Sequence, residues 1–250
     1  MNALILSAGY ATRLYPLTLD KAKPLLLVGG KPIIEWVVDN LADVPDLKTI
    51  YIVTNDKFAV DFQTWAERYQ DRQAKFQFKI INDGSKSDYD RLGAIGDINF
   101  VVTRENLNQS DLLIVAGDNL FSESLAVFVS RAKETKATVG VYDVGDSEAI
   151  KKYGSVAIDA DGVITHFEEK PENPRSTLAA IALYYYSPKV LSLLTTYLAA
   201  GNNPDQPGRF VQWLYTRMPV NTFELKGKWL DIGSKETLQE ADKIFKKLAR

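Results

Sequence analysis

The chain has 250 residues, 46% apolar and 25% charged, an ordinary globular composition long enough to bury a core without disulfide or metal staples. Its 30 basic and 32 acidic residues give a formal charge of −2, which excludes a global basic field for nucleic acid, so any anion site must be local. The lack of cysteine excludes a disulfide framework, a cysteine nucleophile and thiolate-bound zinc, and a single histidine, His166, argues against histidine-rich metal sites and Ser-His-Asp catalysis.

No basic region precedes the apolar run at Ala3–Leu6, so no signal peptide is expected. No stretch approaches the ~18 apolar residues of a membrane span, and the expected location is the cytoplasm. The run Ala3–Leu6 predicts a strand that breaks at Ser7-Ala8-Gly9 into a polar loop, followed by an amphipathic helix over Pro32–Leu41. A strand at Thr49–Thr54, a helical pattern around Val60–Tyr69 and an alternating strand at Phe76–Ile81 come next. Leu112–Ala116 is a wholly apolar run ending at Gly117-Asp118-Asn119, with a helix expected near Ser124–Thr135. Apolar runs alternating with helices predict an α/β fold with parallel strands covered on both faces, where ligands bind beyond the carboxyl ends of the strands.

The second half changes texture. Thr138–Tyr142, Ser155–Ile158, Gly162–Phe167 and Ala179–Tyr186 read as strands, the middle two joined by a turn at Asp159-Ala160-Asp161-Gly162. Asn202–Gly208 reads as a loop. Lys235–Leu248 reads as a closing helix with Leu238, Ala241, Ile244, Phe245 and Leu248 on one face. With no repeat or linker composition, one domain over 1–250 is expected, about 1–135 of alternating strands and helices and about 136–250 with an antiparallel, substrate-side portion and the closing helix.

Chemistry concentrates first in the loop after Leu6. Small residues there let backbone N–H groups approach an anion, Arg13 offers a forked cation for phosphate oxygens, and Lys23 adds a point charge. A solvated surface turn is the plain alternative, and the run is neither a P-loop nor a dinucleotide fingerprint. Asp118 and Asp231 could each be a turn carboxylate or helix cap. Brought together, they would suit Mg²⁺, which takes one or two carboxylates plus substrate oxygens and water. Glu169-Lys170-Pro171 could be only a charged turn.

The run from Leu6 to Thr18, continuing through Lys23-Pro24-Leu25-Leu26, resembles the signature of the sugar-1-phosphate nucleotidyltransferases, written GxGTRLxPLT…PKxLLPV. The likeness continues in family order through Ala116-Gly117-Asp118-Asn119, Phe167-Glu168-Glu169-Lys170-Pro171 and Lys228-Trp229-Leu230-Asp231-Ile232-Gly233-Ser234. It implies a Rossmann-like three-layer fold, with a central mixed, mostly parallel sheet and a small antiparallel substrate-side portion. It also implies Mg²⁺-dependent condensation of a nucleoside triphosphate with a sugar 1-phosphate.

By the same resemblance Arg13, Lys23, Asp118 and Lys170 are catalytic, and Asp118 and Asp231 hold the metal. Ala8, Gly9, Thr12, Arg13, Asn82 and Gly93 contact the nucleotide, Asn82 by its amide and the Leu92-Gly93-Ala94 stretch by backbone. Glu169 contacts sugar hydroxyls and Lys170 the sugar phosphate. His166 and Glu168 are read as structural or solvent-facing, and the Tyr184-Tyr185-Tyr186 run as alternating between core and sugar pocket.

The chain departs from the pattern at Ala11, which replaces the second glycine; the loop absorbs the methyl if its backbone stays at negative φ. Ala22-Lys23 replaces Pro-Lys, and Ala182 stands where a glycine often approaches the sugar. Three other readings remain open: transfer to a phospho-alcohol such as phosphocholine, a sugar-nucleotide sensor, and a glycosyltransferase. One activity is expected, since no hexapeptide-repeat segment follows the last motif. No nucleic-acid or membrane partner is expected, and a homo-oligomer is left open.

Overall fold

The computed structural model describes residues 1–72 and 75–248. The chain is α/β and forms two compact units. The first comprises Met1–Leu92, Val115–Ala126 and Gly227–Arg250; the second comprises Gly93–Ile114 and Val127–Lys226.

In the first unit, Thr49–Thr54 lies between Asn2–Leu6 and Gln77–Asn82, and all three strands are parallel. Ile5 sits opposite Ile52, and Ile52 opposite Ile80. These strands form because β-branched residues fill the interior: Ile5, Ile50, Ile52 and Val53 have no exposed surface. Each such side chain contributes roughly 1.5–3 kcal/mol when fully buried.

The helices Ile33–Asn40, Ala59–Arg72 and Lys235–Leu248 belong to the same unit. Phe245 of the closing helix meets Trp36 edge to face, with centroids 4.9 Å apart, and packs with Val28, Ile33, Leu120 and Ile232. Leu238, Ala241 and Ile244 join that cluster, whereas Leu248, expected on the same face, is 51% exposed in the last turn.

A short ladder pairs Asn119–Phe121 antiparallel with Trp229–Asp231, placing Asp231 opposite Asn119. The strand Leu112–Ala116 passes from the second unit into the first after Ile114. Its continuation at Gly117 packs so closely on the end of the first strand that a Cβ there would overlap Ser7 Oγ. Gly117 N–H donates to Leu6 O at 2.9 Å, so glycine at this position lets Asp118 emerge beside the first loop.

In the second unit, Leu178–Tyr186 pairs antiparallel with Ala137–Asp143 and Gly154–Ile158, and the latter pairs with Ile164–Glu169. Asn221–Glu224 adds a parallel strand beside Ala137–Asp143. The expected loop Asn202–Gly208 is shorter than its composition suggests. Pro207 and Gly208 are the first residues of the helix Pro207–Leu214, because proline lacks only an N–H that the first helical turn leaves unbonded anyway.

Tyr184, Tyr185 and Tyr186 are all buried, so the run does not alternate between core and pocket. Tyr184 and Tyr186 stack at 5.7 Å, Phe210 meets Tyr186 edge-on, and Tyr185 is hydrogen-bonded to Asp111. Among the described residues, no helix is long and apolar enough to cross a membrane.

Candidate active site

The first strand ends at Leu6, and the chain turns through Ser7-Ala8-Gly9-Tyr10 into a 3₁₀ turn at Thr12–Leu14. Asn55 Nδ2 donates to Ala8 O at 2.9 Å, Thr18 Oγ1 to Ala11 O at 2.8 Å, and the Tyr10 hydroxyl to Ser85 O at 3.0 Å. These bonds hold the loop in one shape while Gly9, Thr12 and Arg13 stay exposed.

Ala11 does not keep a negative φ: it sits at φ 50°, ψ 42°, in the left-handed region. The turn needs the conformation that a glycine supplies without strain, and here alanine holds it at a cost of roughly 1–2 kcal/mol.

A second 3₁₀ turn, Lys23–Leu25, presents Lys23 to the same place. Its ammonium is ion-paired with the Asp118 carboxylate and donates to Ile232 O at 2.9 Å. Burial alone would raise the Asp118 carboxyl; the Lys23 charge and the hydrogen bonds from Lys23 and Asn119 outweigh it and hold the group below the usual carboxylate range.

Asn119 Nδ2 lies 3.0 Å from Asp118 Oδ1 and 3.5 Å from Asp231 Oδ1, while its Oδ1 accepts from Trp229 Nε1 at 2.6 Å. One amide thus spans the two aspartates. Among the described residues, no group of three or more His, Cys, Asp or Glu side chains is arranged to enclose a metal. The oxygen donors of Asp118 and Asp231 fit a cation that completes its shell from water and substrate, as magnesium does.

Arg13, Lys23 and Asp118 line one cavity of about 250 Å³, with Ser7, Gly9 and Thr12 in its wall. Asp88 and Arg91, to which the sequence assigned no role, line it too. Asn82 lies on the last of the three parallel strands, and both ends of its amide are engaged: Nδ2 donates to Asp56 at 2.7 Å and Oδ1 accepts from Gly84 N–H at 2.8 Å. A base contact through that amide requires exchange of one of these bonds.

The remaining expected site residues belong to the second unit. Gly93 precedes the helix Ala94–Arg104, where Ala94 and Ile95 donate their N–H groups to the carbonyls of Asp205 and Pro204. Glu169 ends its strand with the carboxylate packed against Gly208, where any Cβ would overlap it. Burial raises its carboxyl pKa, and the charges of Lys170 and Arg209 only partly offset this. Lys170 stands at φ 50°, with its side chain exposed and its N–H bonded to Tyr153 O at 3.0 Å.

Sequence reasoning missed three contributors: Asn119, Gly208 and the Asp88–Arg91 pair. Asn119 was visible only as the neighbour of Asp118, and Gly208 only as part of an Asn/Pro/Gly-rich segment.

The family profile described as Nucleotidyl transferase matches residues 2–247. The chain belongs to the nucleotidyl transferase family. This nucleotidyl transferase is 26% identical over 244 residues to the UTP–glucose-1-phosphate uridylyltransferase AglF of Haloferax volcanii, covering 97% of this chain and 95% of that protein. It is 27% identical over 246 residues to the bifunctional protein GlmU of Methanocaldococcus jannaschii, where 98% of this chain spans only 54% of the relative. Its fold matches, with TM-score 0.81 and 25% identity, the crystal structure of a Bacillus anthracis protein assigned as a glucose-1-phosphate thymidylyltransferase, covering 98% of this chain and 95% of that one.

Proposed function

We propose that this nucleotidyl transferase condenses a nucleoside triphosphate with a sugar 1-phosphate, giving a nucleoside diphosphate sugar and pyrophosphate. The observation that carries this reading is the convergence of Arg13, Lys23 and Asp118 on one cavity at the carboxyl ends of the parallel strands. A sugar phosphate oxygen is already a competent nucleophile. It attacks the α-phosphorus, a new P–O bond forms, and the bond to the departing pyrophosphate breaks on the opposite side. No covalent enzyme intermediate is needed, so positioning and charge neutralisation supply the rate enhancement.

In this account Arg13 binds the triphosphate with its two-pronged guanidinium. Lys23 and Lys170 offset the repulsion between the two phosphates, roughly 4 kcal/mol for unit charges 4 Å apart at an effective dielectric near 20. The backbone around Ala8, Gly9 and Thr12 cradles the nucleotide, with Asn82 and Gly93 as base contacts. Glu169 accepts from sugar hydroxyls. Asp118 and Asp231 would hold Mg²⁺, which when bound neutralises phosphate charge. We read the two units as parts of one nucleotidyltransferase domain.

Glucose 1-phosphate, named for AglF and for the Bacillus anthracis protein, is the first acceptor to test. The phosphocholine alternative loses support because the tyrosine run is buried and Trp229 is bonded to Asn119. The test is a matrix of nucleoside triphosphates against sugar 1-phosphates with pyrophosphate release as readout. Release that depends on one pair supports the reading; release with no sugar phosphate present, or none with any pair, rejects it.

A further inference from the structure

The cavity that holds Arg13, Lys23 and Asp118 contains a second arginine, and the segment presenting it is built to do so. Asp90 accepts from Lys86 N–H at 3.0 Å, Ser87 N–H at 2.7 Å and Ser87 Oγ at 2.7 Å, which closes the chain into a tight turn and holds the Asp90 carboxyl down to about 2. Ser85 is buried, with its N–H and hydroxyl on Asp83 Oδ1 and its carbonyl accepting from Tyr10. The turn is thereby tied to the first loop, and Arg91 leaves it facing the cavity. Arg91 Nη1 donates to Asp88 Oδ1 at 3.1 Å, in a pair whose side chains are 43% and 46% exposed.

We infer that Arg91 is a nucleotide-phosphate-binding residue and that Asp88 pairs with its guanidinium only until the phosphates displace it. The inference rests on the function proposed above. An ion pair this exposed is screened by solvent and contributes little, so it exchanges readily for a stronger partner. A phosphate offers two oxygens to the guanidinium fork and a higher local charge than one carboxylate. Lys23 is also paired with a carboxylate of this cavity, Asp118, but in a more shielded pair. Arg91 lines the same cavity as Arg13, Lys23 and Asp118, the groups assigned to the phosphates in the proposed reaction.

The test is steady-state kinetics on Arg91→Ala, Asp88→Asn and the control Tyr89→Ala, whose side chain is fully exposed on the same turn. Arg91→Ala should raise KM about tenfold for every nucleoside triphosphate by the same factor, as loss of a charge-assisted phosphate contact predicts, with the sugar 1-phosphate KM unchanged. Asp88→Asn should lower the nucleotide KM about two- to threefold by removing the carboxylate charge that competes with the phosphates for Arg91, an effect the size of a weak ion pair, and Tyr89→Ala should match wild type.

A factor that differs among nucleobases would make Arg91 a base reader and overturn the inference. So would a nucleotide KM within twofold of wild type for Arg91→Ala, or a rise in KM for Asp88→Asn. Calorimetric binding of inorganic tripolyphosphate separates this inference from the proposed reaction. If wild type makes no nucleotide-sugar, the reaction reading fails; weaker tripolyphosphate binding by Arg91→Ala than by wild type still sustains the role of Arg91, and equal binding removes it.

Discussion

Lys23 and Asp118, 95 residues apart in the sequence, meet as an ion pair, and the same ammonium donates to the carbonyl of Ile232. One cation therefore joins the loop after the first strand, the end of the Leu112–Ala116 strand and the turn after Asp231. The side chains are only 16% and 22% exposed, so the pair is shielded more than a surface salt bridge. Its two members should respond differently to substitution.

Asp118→Asn keeps the size of the side chain but removes the charge and one of its two acceptor oxygens, so Lys23 and Asn119 can no longer both donate to it. It should lower turnover about 10²-fold or more, since a neutral amide is a poor ligand for a hard cation, with a smaller stability loss than Lys23→Ala because one oxygen still accepts. Lys23→Ala instead strands a carboxylate and should destabilise by about 1–3 kcal/mol as well as reduce turnover. Urea denaturation alongside kinetics separates the two, and equal stability losses would show that the pair is not what holds Asp118.

Ala11 at φ 50° predicts a stabilising substitution. Ala11→Gly relieves roughly 1–2 kcal/mol of left-handed strain and adds ~0.4–1 kcal/mol of unfolded-state entropy. The net expectation is a gain of about 0.5–1 kcal/mol in denaturant unfolding, with the loop hydrogen bonds intact. A loss of stability would mean that the methyl makes favourable contacts worth more than the strain.

Much of this frame is legible in the sequence, and the reasons are physical. Thr49–Thr54 and Leu112–Ala116 declare themselves because a strand covered on both faces must be apolar throughout. Asp118 and Asp231 stand out as carboxylates in apolar surroundings. Neither the φ of Ala11 nor the bridging of two aspartates by Asn119 has a local signature, because each is imposed by distant chain segments. The tyrosine run misleads for a related reason: three phenol rings look amphipathic, yet Tyr185 is satisfied inside the second unit by Asp111.

Gly208→Ala offers a way to move Glu169 without deleting it. An added Cβ would occupy the place of the Glu169 carboxylate, the mobile end of its side chain, so the carboxylate and not the backbone should yield. Discrimination among sugar 1-phosphates should fall about tenfold, comparable to losing one charge-assisted hydrogen bond, while the nucleotide KM stays constant. Unchanged sugar ranking would separate Glu169 from sugar recognition.

The raised Glu169 carboxyl also sets a pH dependence of stability. Because its folded pKa exceeds the unfolded value, the native state binds more protons between the two, and stability falls as pH rises through that window. The contribution is complete below the ordinary glutamate value and lost above the raised one. Wild type should therefore lose stability relative to Glu169→Gln on going from pH 4 to pH 7, as read by urea midpoints. A constant difference across that range would contradict the burial that raises this group.

The fate of the α-phosphate decides whether the proposed condensation occurs. Nucleoside triphosphate labelled there is incubated with Mg²⁺ and glucose 1-phosphate, then with other sugar 1-phosphates, and the products are separated. Label is expected in a nucleoside diphosphate sugar, with one pyrophosphate released per sugar nucleotide formed and neither product without the sugar phosphate. Label appearing instead in free nucleoside diphosphate or monophosphate, or remaining in triphosphate with every sugar 1-phosphate, would contradict it.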